Sequence, residues 1–301
     1  MSKIDNLIKK LNNHGVILMD GGTGTELQRR GVGTTLPLWS AQALLSSPQT
    51  VKEIHWDYIL AGADIIKTNT FRTNRRTLAK ASLGDKDFEL TKLAIDLARE
   101  AVVEAKVSRE IYIGGSQAPL EDCYEPKLVP DDQTALAEHR RWSKSLADGG
   151  VDFIFLETFN TIREAKVALQ AAKETGLPVA ISFIANQQGQ LLSGEELADA
   201  VKAVEAFEPL AILINCMQPA DISKVLPKLR AVTKLPIGAY GQGVGAPADD
   251  EGWSFSQQRN EVSQYCNHVG VWLKAGATLV GGCCGTNPAY IEAIKSLVSK
   301  Q

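Results

Sequence analysis

Five cysteines stand at positions 123, 216, 266, 283 and 284, and the last two are adjacent within LVGGCCGT, residues 279–286. Neighbouring thiols rarely join each other, because the ring they would close is strained. Thiolates are also metal ligands. Zn2+ is held tetrahedrally by cysteine sulfur, with one corner left open where the metal is catalytic. Cys216 follows the apolar run AILIN, and Cys283 and Cys284 follow TLVGG. If both runs are strands of one sheet, their C-terminal ends bring three sulfurs to one rim, making three corners of such a site. The competing reading is a buried, apolar Cys216 beside an incidental pair. Cys123 and Cys266 fall in a predicted loop and a predicted helix and are expected to be inert.

Two carboxylates share the predicted rim. Asp20 ends ILMD and Glu157 ends FIFLE. A carboxylate closing an apolar strand needs a partner to stay charged. That partner is either the ammonium group of a substrate or an internal cation such as Lys67. After Asp20 comes DGGTGTE, where the amides of Gly21, Gly22 and Thr23 at the start of a helix suit a carboxylate or a phosphate. An acidic pair beside an amide nest reads as an amino-acid recogniser. The histidines stand apart: His55, His139 and His268 lie in helical patterns, and His14 precedes the first strand.

Such residues need a scaffold that gathers strand ends. Eight short apolar runs alternate with helical patterns, at residues 16–22, 63–71, 111–116, 152–158, 179–185, 211–216, 236–241 and 278–284. They are rich in Ile, Val and Phe, as parallel strands covered on both faces should be. The helix SPQTVKEIHWDYILAGA is expected to have Ser47 as its cap, Pro48 in its first turn and Gly62 at its end. Eight strand–helix units in 301 residues predict a single-domain (β/α)8 TIM barrel, residues 1–301, with the metal site at the ends of strands six and eight. A doubly wound open sheet is the alternative.

The bulk numbers exclude other classes. A net charge of −3 with no long run of one sign argues against nucleic acid or a membrane surface as partner. No run of 18 apolar residues is present, and the start MSKIDNLIKKLNNHG lacks the apolar core of a signal peptide. An odd cysteine count without framework spacing argues against structural disulfides. A cytoplasmic location is the expectation.

Taken in order, DGGTGTEL, TNTF, LETF, INC and GGCCGT resemble the homocysteine S-methyltransferase family over nearly the whole chain. The resemblance implies a barrel that methylates homocysteine to methionine. It implies Zn2+ held by Cys216, Cys283 and Cys284, which do the catalysis. Asp20 and Glu157 would hold the amino group, and Gly21, Gly22 and Thr23 the carboxylate. Asn215, before the first zinc cysteine, would order the site. The donor is expected to be a sulfonium, S-methylmethionine or S-adenosylmethionine. The LETF and TNTF motifs look closest to the homocysteine module of cobalamin-dependent methionine synthase, so methyl delivery by a separate corrinoid protein is the alternative. A betaine donor ranks low, because two tyrosine positions of betaine-dependent members appear here as Arg72 and Thr158. Trp39 matches a tryptophan of several branches and faces either donor or core. Gln242 stands where members carry an asparagine that approaches the metal, with Tyr240 as another oxygen nearby. Loop 246–255 is expected either to lie over the same rim and help define the donor or to be a solvated surface loop. A non-catalytic thiol or amino-acid binder, a metal-free cysteine enzyme and a homo-oligomer also fit the residues.

Overall fold

The structure, a computed structural model, describes residues 2–248, 252–256 and 261–300. Eight parallel strands form the sheet: β1 (Ile17–Leu18), β2 (Ile65–Lys67), β3 (Tyr112–Gln117), β4 (Phe153–Phe159), β5 (Val179–Phe183), β6 (Ile212–Asn215), β7 (Ile237–Gly241) and β8 (Ala277–Gly282). Each pairs with its successor from β2 to β8, and β8 pairs with β1 at Ile17↔Leu279. The ring closes through the parallel bridge Met19↔Ile65 and the bond from Asp20 N–H to the Ile65 carbonyl, 3.0 Å. An open doubly wound sheet would leave two free edges, so the barrel is the fold. No helix among the described residues is long and apolar enough to cross a membrane.

Alternation along the strands sorts the side chains. Ile17, Met19, Ile65, Tyr112, Phe153, Phe155, Leu213 and Leu279 fill the barrel interior. Their neighbours Ile66, Ile113, Ile154 and Ile212 face the helices. Each such side chain contributes roughly 1.5–3 kcal/mol by leaving water. The same alternation continued one step up turns Lys67, Ser116, Glu157, Ser182, Asn215 and Tyr240 inward, so a polar layer sits on the apolar one. The N-terminal helix Lys3–Asn12 closes the opposite end with Leu7 and Leu11, which join the interior cluster.

The helix Pro48–Ala61 begins with proline and ends at Gly62, whose φ of 119° is left-handed, as its sequence predicts. Ser47 departs from expectation. Its side chain makes no capping bond; its carbonyl accepts from Thr50 N–H instead.

Candidate metal and substrate site

The GGCCGT turn is held by the helix Thr23–Arg29 that follows DGG. Thr286 Oγ1 donates to the Cys283 carbonyl at 2.7 Å and accepts from Gly22 N–H at 3.2 Å. Thr25 Oγ1 accepts from Gly285 N–H at 3.0 Å. Arg29 donates to the carbonyls of Gly285 and Thr286 at 2.5 and 3.0 Å. The two glycine-rich motifs, far apart in sequence, therefore form one unit. Their glycines are required by contact: a Cβ on Gly22 would lie 2.7 Å from the Cys283 carbonyl oxygen, and one on Gly281 would lie 2.7 Å from Met19 Cβ.

Cys216 leaves β6 in the left-handed region, φ 56°, an uncommon position for a residue with a Cβ. Its N–H is held by the Tyr240 carbonyl at 3.2 Å. Its Sγ lies 3.3 Å from Cys283 Sγ, and the sulfurs of Cys216, Cys283 and Cys284 all lie within 4.8 Å of one another. Zn–S bonds of about 2.3 Å in a tetrahedron put sulfurs about 3.8 Å apart, inside that span. Three thiols on strand ends, with no histidine or carboxylate in the group, form the donor set that Zn2+ takes. Bonds from the Cys283 and Cys284 thiols hold Cys216 well below an ordinary thiol pKa, and those two are raised in turn. Tyr124 OH lies 3.4 Å from Cys216 Sγ.

The sulfurs line a cavity of about 380 Å3 at the strand ends. Gly21, Gly22, Thr23 and Glu157 also line it, while Asp20 and Asn215 do not. Asp20 is fully buried and holds Lys67, accepting from both its Nζ and its backbone N–H, the latter at 2.8 Å. The internal ion pair, one of two readings of Asp20, is thus present. Burial pushes the Asp20 carboxyl up, opposed by the Lys67 charge. Glu157 accepts from Ser116 Oγ and from Tyr240 OH, the latter at 3.1 Å. Burial raises its pKa to about 7, against the pull of Lys67.

Asn215 works beneath the surface. It accepts from Ser182 Oγ at 2.6 Å and donates to Thr158 Oγ1 at 2.8 Å. Thr158 has φ 67°, costly for a β-branched residue, where the β4–β5 register shifts between Leu156 and Phe159. The bulge sets the turn that follows Glu157.

Trp39 lines the cavity, packed against Gly24 and Gly252, where any Cβ would strike its ring. Gln242 turns away from the cavity and accepts from Gln218 Nε2 at 3.0 Å. Within loop 246–255, Ala246–Ala248 pairs antiparallel with Gly252–Ser254, and Pro247 and Trp253 line the cavity. Residues 249–251 lie outside the described residues. Cys123 corrects its sequence reading. The loop after β3 folds over the mouth, so Cys123 lines the cavity, its thiol raised to about 12 by burial. Tyr124 comes with it. Nothing in the spacing of PLEDCY announces that loop's path. His139 bonds Gln117 and Glu164, and His268 bonds Ser223, so both are satisfied within helices.

Comparison with known proteins agrees with this geometry. A family model described as homocysteine S-methyltransferase matches residues 17–298. A maize (Zea mays) homocysteine S-methyltransferase 4 is 28% identical over 94% of this chain and 90% of its own. A selenocysteine methyltransferase of Astragalus bisulcatus is 31% identical over 93% of this chain and 91% of its own. The metallated form of the Escherichia coli homocysteine methyltransferase MmuM superposes with a TM-score of 0.83 at 26% identity, covering 98% of this chain and 100% of that one.

Proposed function

The chain belongs to the homocysteine S-methyltransferase family, and from that premise we propose that it transfers a methyl group from a free sulfonium donor to homocysteine, with Zn2+ as its resident metal. The observation that carries the reading is the three-sulfur cluster in the wall of a cavity that is also lined by the strand-end carboxylate Glu157 and the glycine-rich turn Gly21–Thr23.

Cys216, Cys283 and Cys284 would hold the metal. Zn2+ there supplies a soft Lewis acid on which a thiol is deprotonated at neutral pH. The protein's own groups do the rest. Glu157 is the strand-end carboxylate that lines the cavity, and it receives the substrate ammonium, while Asp20, already joined to Lys67, sets the charge behind it. The turn Gly21–Thr23 receives the carboxylate through the amides of Gly21 and Thr23, while the Gly22 N–H, held by Thr286 Oγ1, fixes the turn. Methyl transfer then forms a bond from the acceptor sulfur to the methyl carbon. The donor's S–CH3 bond breaks with both electrons staying on the donor sulfur, so a cation becomes a neutral thioether. No general base is needed at that step, and the rate comes from positioning and exclusion of water. The rings of Trp39, Phe71, Tyr124 and Trp253 line the walls and offer faces that attract a sulfonium. A cavity near 380 Å3 falls in the ~300–1,000 Å3 range of small-molecule sites, which favours a free donor over a corrinoid protein.

The test is methionine formation from homocysteine and S-methylmethionine, before and after chelation. Turnover that disappears with chelation and returns with zinc supports the proposal. A zinc-loaded protein that transfers methyl from no small donor would replace it with the corrinoid-partner or thiol-binding reading.

A further inference from the structure

Arg72 sits in the cavity wall directly after Phe71, at the turn that follows β2. Every other described arginine donates to a carboxylate or a backbone carbonyl, from Arg29 on Gly285 to Arg230 on Leu235. Among the described residues Arg72 has no ion pair and no hydrogen bond. Its Nε is buried without an acceptor, and its guanidinium lies over the Phe71 ring, 5.6 Å from the centroid. Asp122 and Glu125 also line the cavity, yet neither pairs with it.

A half-buried guanidinium with an orphan nitrogen is expensive unless a ligand completes it. Its planar fork matches a carboxylate. The acceptor's two charged ends already have Glu157 and the amide nest, beside the sulfurs. Arg72 stands on the turn after β2 beside Phe71, not on the glycine-rich turn or on a cysteine-bearing strand end, and its charge acts on the Cys123 thiol of the loop over the mouth. We infer that Arg72 binds the carboxylate of the methyl donor, and so selects sulfonium donors that are also carboxylates. The inference rests on the sulfonium reading above.

The test uses the zinc-loaded protein and its Arg72→Gln and Arg72→Lys variants. Three donors are compared: S-methylmethionine, dimethylsulfoniopropionate, which keeps a carboxylate without an amino group, and trimethylsulfonium, which has neither. KM is measured for each donor and for homocysteine, and binding of S-methylmethionine by calorimetry. Loss of a charged hydrogen bond predicts that Arg72→Gln raises KM and Kd for both carboxylate donors about 10- to 100-fold. Arg72→Lys recovers part of the loss. Trimethylsulfonium and homocysteine stay within about twofold, which also shows that the variant is folded. Unchanged carboxylate donors, equal losses for trimethylsulfonium, or a loss confined to homocysteine would each overturn the inference. If no sulfonium transfers methyl, calorimetry still decides. Binding of S-methylmethionine that depends on Arg72 keeps the assignment while the transfer reading falls, whereas binding independent of Arg72, or none, removes it.

Discussion

Lys67 is the cation on which the polar layer of the barrel depends, and replacing it with methionine tests that arrangement. Asp20 is fully buried, and the Lys67 side chain is 10% exposed. Removing one member of a buried pair costs about 3–5 kcal/mol, because the other charge is left unmatched. The Lys67 backbone N–H stays on Asp20 in the variant, at 2.8 Å, which places the loss toward the lower end. Glu157 loses the same counter-charge. Both carboxyls, already pushed up by burial, then rise further. A carboxyl raised in the folded state leaves stability untouched below its unfolded pKa. Above that value it subtracts about 1.4 kcal/mol per pH unit until the folded pKa is reached. Lys67→Met is therefore expected to lose about 3–5 kcal/mol at pH 8 and about 2 kcal/mol or less at pH 5, read from equilibrium unfolding in urea. Adding Asp20→Asn should return most of the loss. A deficit under about 1 kcal/mol, one independent of pH, or one undiminished by Asp20→Asn would refute the ion pair as the organising charge.

Glu157→Gln removes a carboxyl whose pKa is raised to about 7. Its burden is absent below about pH 4.5 and complete above 7, so the variant should gain roughly 1–3 kcal/mol at pH 8 and nothing at pH 4.5, while KM for homocysteine rises. His55 is fully buried, and among the described residues neither ring nitrogen has a partner. Burial lowers its pKa to about 4 from 6.5. The unfolded chain takes up that proton first, so stability is intact above 6.5 and falls by about 3 kcal/mol as pH drops to 4. His55→Leu should flatten that slope in acid unfolding curves. Gly22→Ala places a methyl 2.7 Å from the Cys283 carbonyl oxygen. Displacing the cysteine turn by a fraction of an ångström should lower kcat/KM about 10- to 100-fold with the fold retained by circular dichroism.

The barrel was legible because parallel strands buried on both faces read as unbroken apolar runs, and all eight lie where those runs stand. The cysteine rim was legible for the same reason: once β6 and β8 are strands, Cys216 and Cys283 follow their ends. Other features are legible only in part. Lys67 can be named from the sequence as a candidate cation for Asp20, but it cannot be chosen over a substrate ammonium until closure of the ring through Met19 and Ile65 delivers it there. Cys123 and Tyr124 reach the cavity because their loop bends over the mouth, a choice made by tertiary packing. The N-terminal helix looks polar in composition, yet Leu7 and Leu11, spaced by four, fall on one face and seal the barrel floor. That spacing was available in the sequence.

The proposed chemistry rests on a zinc centre made of three cysteines. The direct measurement is the metal content of the reduced protein, purified without added metal, beside the Cys284→Ala variant. About one zinc per chain is expected in the parent, with most of it lost in the variant and the fold unchanged. A parent protein without zinc, or a variant that keeps it in full, would contradict the assignment of Cys216, Cys283 and Cys284 and the chemistry built on them.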